Sequence, residues 1–300
     1  MELIAALRAE PVLFTLVAAL FGLLVGSFLN VVIYRLPLML ERQWRAESAE
    51  LLAGGDAEPA PAAPPGPRFN LVTPASACPG CRAPIKPWHN IPVVSWLALR
   101  GRCAACGTPI SVRYPLVELL TGLVFGAVAW RFGWGWEALL ALLVSAYLIA
   151  MTGIDLDTTL LPDVLTLPLM WAGLLAAAWL GRGAAPIPVD LKSAVLGAAF
   201  GYLSLWSVYH LFRLVTGKEG MGYGDFKLYA ALGAWLGWQM LLPVILFAAG
   251  TGALVGVGLI VARRLGREVP IPFGPYLATA GWLVMMWSPT LVAPWWSLGH

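Results

Sequence analysis

Two strings in this sequence put carboxylates at the edges of apolar runs, where charge is costly. One is Met151-Thr-Gly-Ile-Asp155-Leu-Asp157-Thr-Thr-Leu-Leu-Pro162-Asp163, and the other is Gly220-Met-Gly222-Tyr-Gly224-Asp225-Phe-Lys227. Ionisable groups so close to hydrocarbon usually face a wet or protein-lined cavity, which makes them candidates for function. A pair has its own chemistry. Two carboxylates brought together cannot both ionise, so one keeps a proton while the other draws a proton from water, the acid and base division of aspartic proteolysis. Such a pair titrates as one unit. Asp155 and Asp157 are two residues apart and fall on nearly opposite faces of a helix, so only one of them can point at Asp225. Asp155, nearer the apolar run, is the expected partner. Asp157 reads as a solvated or supporting residue, and Asp163, after Pro162, as a helix-start carboxylate suited to the positive end of a helix. The glycines at 220, 222 and 224 disfavour regular helix and leave backbone open, so that an extended substrate strand can lie close to Asp225.

A second constellation is Cys78-Pro-Gly-Cys81 and Cys103-Ala-Ala-Cys106, with 21 residues between the pairs. Each C-x-x-C supplies two thiolates, and the spacing is close to that of a tetracysteine zinc site. Two disulfides or free thiols are the competing reading, and a cytosolic position disfavours stable disulfides. A redox C-x-x-C leaves the second pair unexplained. Four thiolates close the coordination sphere, so the zinc is expected to be structural and to stand in for a core that this segment has few apolar residues to build. His89 lies between the pairs and reads as a solvated or locally bonded histidine.

The elements that carry these residues follow from composition. Of 300 residues, 59% are apolar and only 12% are charged, against roughly 25% charged in a soluble domain. Runs such as 11 to 34 and 241 to 262 match the ~20 residues that cross a bilayer. The first run is too long for a signal-peptide core, its preceding charges are mixed (Glu2, Arg8, Glu10), and no small-x-small cleavage pattern follows. The expected fold is an all-α integral membrane protein of about eight transmembrane helices: 11 to 34, 114 to 130, 136 to 154, 162 to 180, 193 to 215, 226 to 240, 241 to 262 and 274 to 293. The sixth run is short and meets the seventh across a Gly-Trp-Gln-Met break, so seven spans with a re-entrant segment is the rival count. The expected organisation is a first transmembrane helix over 1–35, a cytoplasmic segment with the tetracysteine site over 36–113, and a transmembrane protease core over 114–300. An Ala/Pro-rich stretch from Ala53 to Pro67 reads as a flexible linker.

Orientation comes from the basic residues. With eight spans, one side holds 15 of the 19 Lys and Arg, leaving Arg8, Arg131, Arg182 and Lys192 on the other. The basic side is expected to be cytoplasmic, and the loops bearing Asp155 and Asp225 lie on it. A net charge of +3 gives no reason to expect nucleic acid. Tryptophans at span ends (Trp130, Trp134, Trp136, Trp295, Trp296) read as interfacial anchors. The pairs Gly22 with Gly26 and Gly197 with Gly201 read as small-x-x-x-small helix contacts.

Taken together, the motifs resemble the type IV prepilin peptidases, the leader peptidase and N-methyltransferase family of GxGD-type aspartic proteases. The resemblance rests on Gly26-Ser-Phe-Leu-Asn30 through Arg35-Leu-Pro37, the two C-x-x-C pairs, Arg113-Tyr-Pro-Leu-Val-Glu118-Leu, Ile154-Asp155 to Leu161-Pro162-Asp163, Gly220 to Lys227, and Pro270-Ile-Pro-Phe-Gly274-Pro275. It implies Asp155 and Asp225 as catalytic aspartates, and Cys78, Cys81, Cys103 and Cys106 as zinc ligands. The implied substrates are prepilins and pseudopilins of type IV pili and type II secretion, cut after a glycine at the cytoplasmic face of the inner membrane. It also implies methylation of the new amino terminus with S-adenosylmethionine. No glycine-rich strand-turn-helix nucleotide site is visible. The methyl-donor residues are therefore unknown, and a donor site is expected near the zinc-bearing segment and the end of the first span. Glu118 is a candidate contributor there, with a helix-start carboxylate after Pro115 as its plain reading. Arg35 and Lys227 read as inside-anchoring cations, with contact to substrate or aspartate as the alternative. Other functions compatible with the residues are a G-x-G-D protease with another substrate, a proton-coupled transporter using the aspartates as relays, and a membrane scaffold docking through the zinc segment.

Overall fold

The computed structural model describes residues 2–53, 69–180, 189–262 and 272–296. Most of the linker from Ala53 to Pro67, the arginines at 182, 263, 264 and 267, and Pro270 lie outside the described residues. The helices in chain order are α1 (Glu2–Ala9), α2 (Pro11–Ala53), α3 (Val94–Ala98), α4 (Arg113–Phe132), α5 (Trp136–Thr158), α6 (Asp163–Leu180), α7 (Leu191–Thr216), α8 (Tyr223–Leu236), α9 (Leu241–Val261) and α10 (Gly274–Trp296). Among the described residues, extended pairing is confined to two isolated bridges, Ala77 with Pro84 and Arg102 with Pro109. The expected all-α membrane class holds.

The count of eight spans does not hold as stated. Six helical stretches among the described residues are long and apolar enough to cross a bilayer: Pro11–Leu52, Arg113–Phe132, Trp136–Thr158, Asp163–Leu180, Leu191–Thr216 and Trp238–Val261. The expected sixth span is α8, whose 14 residues rise only about 21 Å against the ~30 Å of hydrocarbon. It ends at Gly237, at φ +81°, where the chain enters a 3₁₀ turn over Trp238–Met240 before α9. α10, with 23 residues, stands at the place of the expected eighth span and is not among these six. The first helix also runs well past its apolar stretch, to Ala53. Its polar second half is a good helix former, with Glu41 paired to Arg45 and Gln43 to Glu47 one turn apart.

The chain divides into two compact units, Ala19–Leu123 and Met1–Ala18 with Val124–His300. In the second, α8 is the buried centre, packed against α6, α7 and α10. From Phe226 to Leu236 every residue except Lys227 is buried, as expected of a helix that is apolar on all sides. Gly197 and Gly233 let α7 and α8 approach backbone to backbone, and a Cβ at Gly201 would lie 2.7 Å from the Tyr229 carbonyl oxygen. Trp235 fixes the other side by donating from Nε1 to the Leu169 carbonyl at 2.8 Å. The helix that carries Asp225 is thus held from several directions.

In the unit Ala19–Leu123, α2 and α4 meet at Gly26, where a Cβ would lie 2.7 Å from the Glu118 Cα. Asn30 donates to the Tyr114 carbonyl at 3.1 Å.

Candidate active site and metal centre

Asp155 lies in the last turn of α5 and Asp225 in the first turn of α8, and both are buried despite their charge. The α5 helix closes one turn after Asp155, where Thr159 takes the left-handed conformation at φ +52° and donates its N–H to the Asp155 carbonyl. Asp157 is exposed. The two-residue spacing therefore separates the pair as helix periodicity requires, and Asp155 is the residue turned inward. Its carboxylate is near enough to that of Asp225 for the two charges to interact. Each accepts a backbone hydrogen bond from a glycine: Asp155 Oδ2 from the Gly274 N–H at 3.0 Å, and Asp225 from Gly222. The second bond, from the third helical residue back to the N-cap, has the form of half a capping box.

The glycines of the second string have separate reasons to be glycine. Gly224 lies inside the first turn of α8, not in an open loop, and a Cβ there would meet Leu161 Cβ at 2.6 Å and the Leu161 carbonyl oxygen at 3.1 Å. A Cβ at Gly220 would lie 2.9 Å from the Phe212 ring, while one at Gly222 would meet only Asp225 Oδ2 at 3.8 Å and the Gly224 nitrogen at 4.0 Å, ordinary contacts. The expectation that all three leave backbone open for a substrate is therefore corrected for Gly220 and Gly224, which are close-packing positions. Leu161, buried, is the wedge: a Cβ at Gly274 would also meet its Cδ1 at 3.1 Å. Neither Leu161 nor Gly274 was expected to build the site from sequence. The Pro-x-Pro-Phe-Gly-Pro string was the available signal, without an indication of what it touches.

Lys227 does contact an aspartate. Its Nζ lies 2.6 and 2.7 Å from the two oxygens of Asp163, in the first turn of α6.

In the other unit, the four cysteines converge, with every sulfur within 4.8 Å of the others and Cys78 to Cys106 at 3.8 Å. A disulfide would need about 2.05 Å. Sulfurs placed ~2.3 Å from one tetrahedral zinc lie about 3.8 Å apart, so the donor set fits that ion. Two similar turns create it. Cys78 N–H donates to Ala83 O and Arg82 N–H to Cys78 O; Cys103 N–H donates to Thr108 O and Gly107 N–H to Cys103 O. Arg82 and Gly107 hold the same place in the two turns, at φ +59° and +73°. The Thr108 hydroxyl, 3.1 Å from Cys106 Sγ, and the Thr108 backbone N–H hold the Cys106 thiol down at about 6. His89 stands outside the cluster, beside the Trp88 ring.

Arg35 is buried, donating to the carbonyls of Asn70 and Pro74 at 3.0 and 2.8 Å, and so ties the chain after the linker to α2. Glu118 is buried too. It accepts the Val93 N–H at 2.7 Å and faces Ser27. Val93 sits at φ +60°, a conformation rare for a β-branched residue, and the Glu118 bond helps hold it.

Comparison with known proteins bears on both halves. The profile of the Bacterial Peptidase A24 N-terminal domain matches residues 20–132, and that of the Type IV leader peptidase family matches residues 142–257, which include Asp155 and Asp225. A prepilin leader peptidase/N-methyltransferase of Pseudomonas aeruginosa is 54% identical over 96% of this chain and 95% of its own length. Proteins of the same description from Aeromonas hydrophila and Neisseria gonorrhoeae are 53% and 49% identical, over 94% and 93% of this chain and 93% of their own lengths in each case. No solved structure matches the chain. With this similarity along nearly its whole length, the chain belongs to the type IV leader peptidase family.

Proposed function

We propose that this protein cleaves the leader from type IV prepilins and pseudopilins, with Asp155 and Asp225 as the catalytic pair. The observation that carries the reading is a pair of buried carboxylates on two helix ends, near enough for their charges to interact and each held by a glycine N–H. An extended leader junction enters from the cytosol and the inner-leaflet boundary of the inner membrane. Water between the carboxylates is deprotonated by the ionised member and attacks the scissile carbonyl. The protonated member donates to the carbonyl oxygen; on collapse of the tetrahedral intermediate the first carboxylate passes the proton it took from water to the departing amine, and the second takes back a proton from the diol oxygen as the new carboxyl group forms. No covalent enzyme intermediate is formed.

The organisation that suits this activity is a first span over 1–35, a cytoplasmic segment over 36–113 and a protease core over 114–300. Cys78, Cys81, Cys103 and Cys106 hold a structural zinc, which organises the segment and leaves no coordination position for water. The second activity is methylation of the new amino terminus, with S-adenosylmethionine as donor. Asn30, Arg35 and Glu118 are already engaged by backbone groups, so they do not form a ready set of free polar groups for that cofactor.

The test incubates purified protein with a prepilin and S-adenosylmethionine and follows the pilin by mass spectrometry, beside Asp155→Asn and Asp225→Asn. A mass loss equal to the leader is expected with the unaltered protein and not with either variant. Retained cleavage by a folded variant removes that aspartate from the catalytic role, and an added methyl group reads out the second activity.

A further inference from the structure

We propose that the Gly274 backbone N–H is a positioning group for peptide cleavage: it holds Asp155 Oδ2 in place and leaves Oδ1 to water and Asp225. The proposal rests on Asp155 being catalytic.

The first N–H groups of a helix have no partner within it. At the start of α10, Pro275 has no N–H, and those of Tyr276 and Leu277 both donate to the Phe273 carbonyl at 3.1 Å. Gly274 alone in that turn sends its N–H out of the helix, to a carboxylate 119 residues away in sequence. A donor at the positive end of a helix is well suited to a carboxylate. Being neutral, it orients the group without adding a counter-charge.

The identity of residue 274 is set by space. Its φ does not lie in the positive range that favours glycine, so any residue can adopt this backbone. A Cβ would instead lie 2.6 Å from Asp155 Oδ2, 3.2 Å from its Cγ and 3.1 Å from Leu161 Cδ1. Both neighbours are buried. A single methyl group therefore either pushes the carboxylate off its donor or lifts the start of α10 away from it. Either movement misplaces the reacting oxygen.

The experiment compares Gly274→Ala with the unaltered protein in steady-state prepilin cleavage, with Asp155→Asn alongside. Gly250→Ala, on α9 in open space, serves as a control expected at the unaltered rate. Misplacement of about 1 Å lowers kcat by roughly 100-fold, so Gly274→Ala is expected to lose kcat on that order while KM is retained. A kcat close to that of the unaltered protein, with Asp155→Asn inactive, overturns the positioning role and leaves the catalytic reading standing. Activity in Asp155→Asn overturns the reading beneath it. If Gly274→Ala does not give a monodisperse protein with a normal melting transition, cell-free synthesis with glycolic acid at position 274 replaces the N–H by an ester oxygen and adds no atom. A fall in kcat at unchanged KM then supports the role, and an unchanged kcat overturns it.

Discussion

Replacing Cys103 by serine should dismantle residues 76–110 rather than loosen them. Apolar burial cannot hold that stretch together: Trp88, Val94 and Leu97 are about 60% exposed, and Ile85 and Ile91 are exposed as well. Structural zinc binds with roughly 10–16 kcal/mol in small metal-dependent folds, comparable to the ~5–15 kcal/mol that stabilises a whole domain. If only about 3 kcal/mol of that holds the two cysteine turns closed, losing the metal speeds exchange of their amides about a hundredfold. The reporters are the N–H groups of Cys78, Arg82, Cys103 and Gly107, each bonded across a turn. The assay pairs elemental analysis, expected to fall from about one zinc per chain, with hydrogen exchange and mass spectrometry over 76–110. Unchanged protection of these amides in zinc-free Cys103→Ser protein would refute the argument, since the turns would then be stable without an ion.

Gly224→Ala drives a Cβ into Leu161; we expect a loss of about 1–3 kcal/mol in stability together with slower cleavage, measured by thermal melting and initial rate, and a normal variant would remove Leu161 as a clamp. Arg82→Gly relieves a left-handed residue and should strengthen the first cysteine turn by up to about 1 kcal/mol, read as slower zinc release to a chelator, whereas Arg82→Val should speed it. Lys227→Met removes a partly exposed ion pair with Asp163 and should cost less than about 1 kcal/mol, checked by a double-mutant cycle with Asp163→Asn; a loss of cleavage far beyond that energy would place Lys227 on the substrate.

Much of the site was legible because local rules govern it. Helix periodicity alone separates Asp155 from Asp157, and the cysteine spacing alone points to one ion. The length of α2 was not read from the sequence: hydropathy ends at Tyr34, and the helix formers at pairing distances beyond it, Glu41, Gln43, Arg45 and Glu47, carry the helix on to Ala53. The cysteine turns contain a repeat, Cys-x-x-Cys-x-x-Pro-Ile at 78–85 and again at 103–110, which accounts for their similar backbones. Gly274 was not legible as an Asp155 partner. Its reason to be glycine is steric and tertiary, and nothing within a few residues of it in the chain says which carboxylate fills the space. The brevity of α8 was half visible, in the break at 237–240, while its burial depends on the glycine contacts with α7.

The pattern of partners around the aspartates also explains where the nearest lysine is kept. A buried carboxylate needs hydrogen bonds, and either an ammonium or a backbone N–H can supply them. The two have different consequences for a pair. A cation within reach favours the ionised form of both carboxylates, and hydrolysis needs one of them to carry a proton. A backbone N–H is neutral and fixes direction while leaving that proton in place. Lys227 is two residues after Asp225, a spacing that turns it to nearly the opposite side of α8, and there Asp163 accepts both contacts of its ammonium. Gly222 and Gly274 meet the carboxylates instead. For the proposed catalytic pair, Asp163 matters at one remove: it engages the one cation of α8, which helix periodicity has already turned away from the two carboxylates.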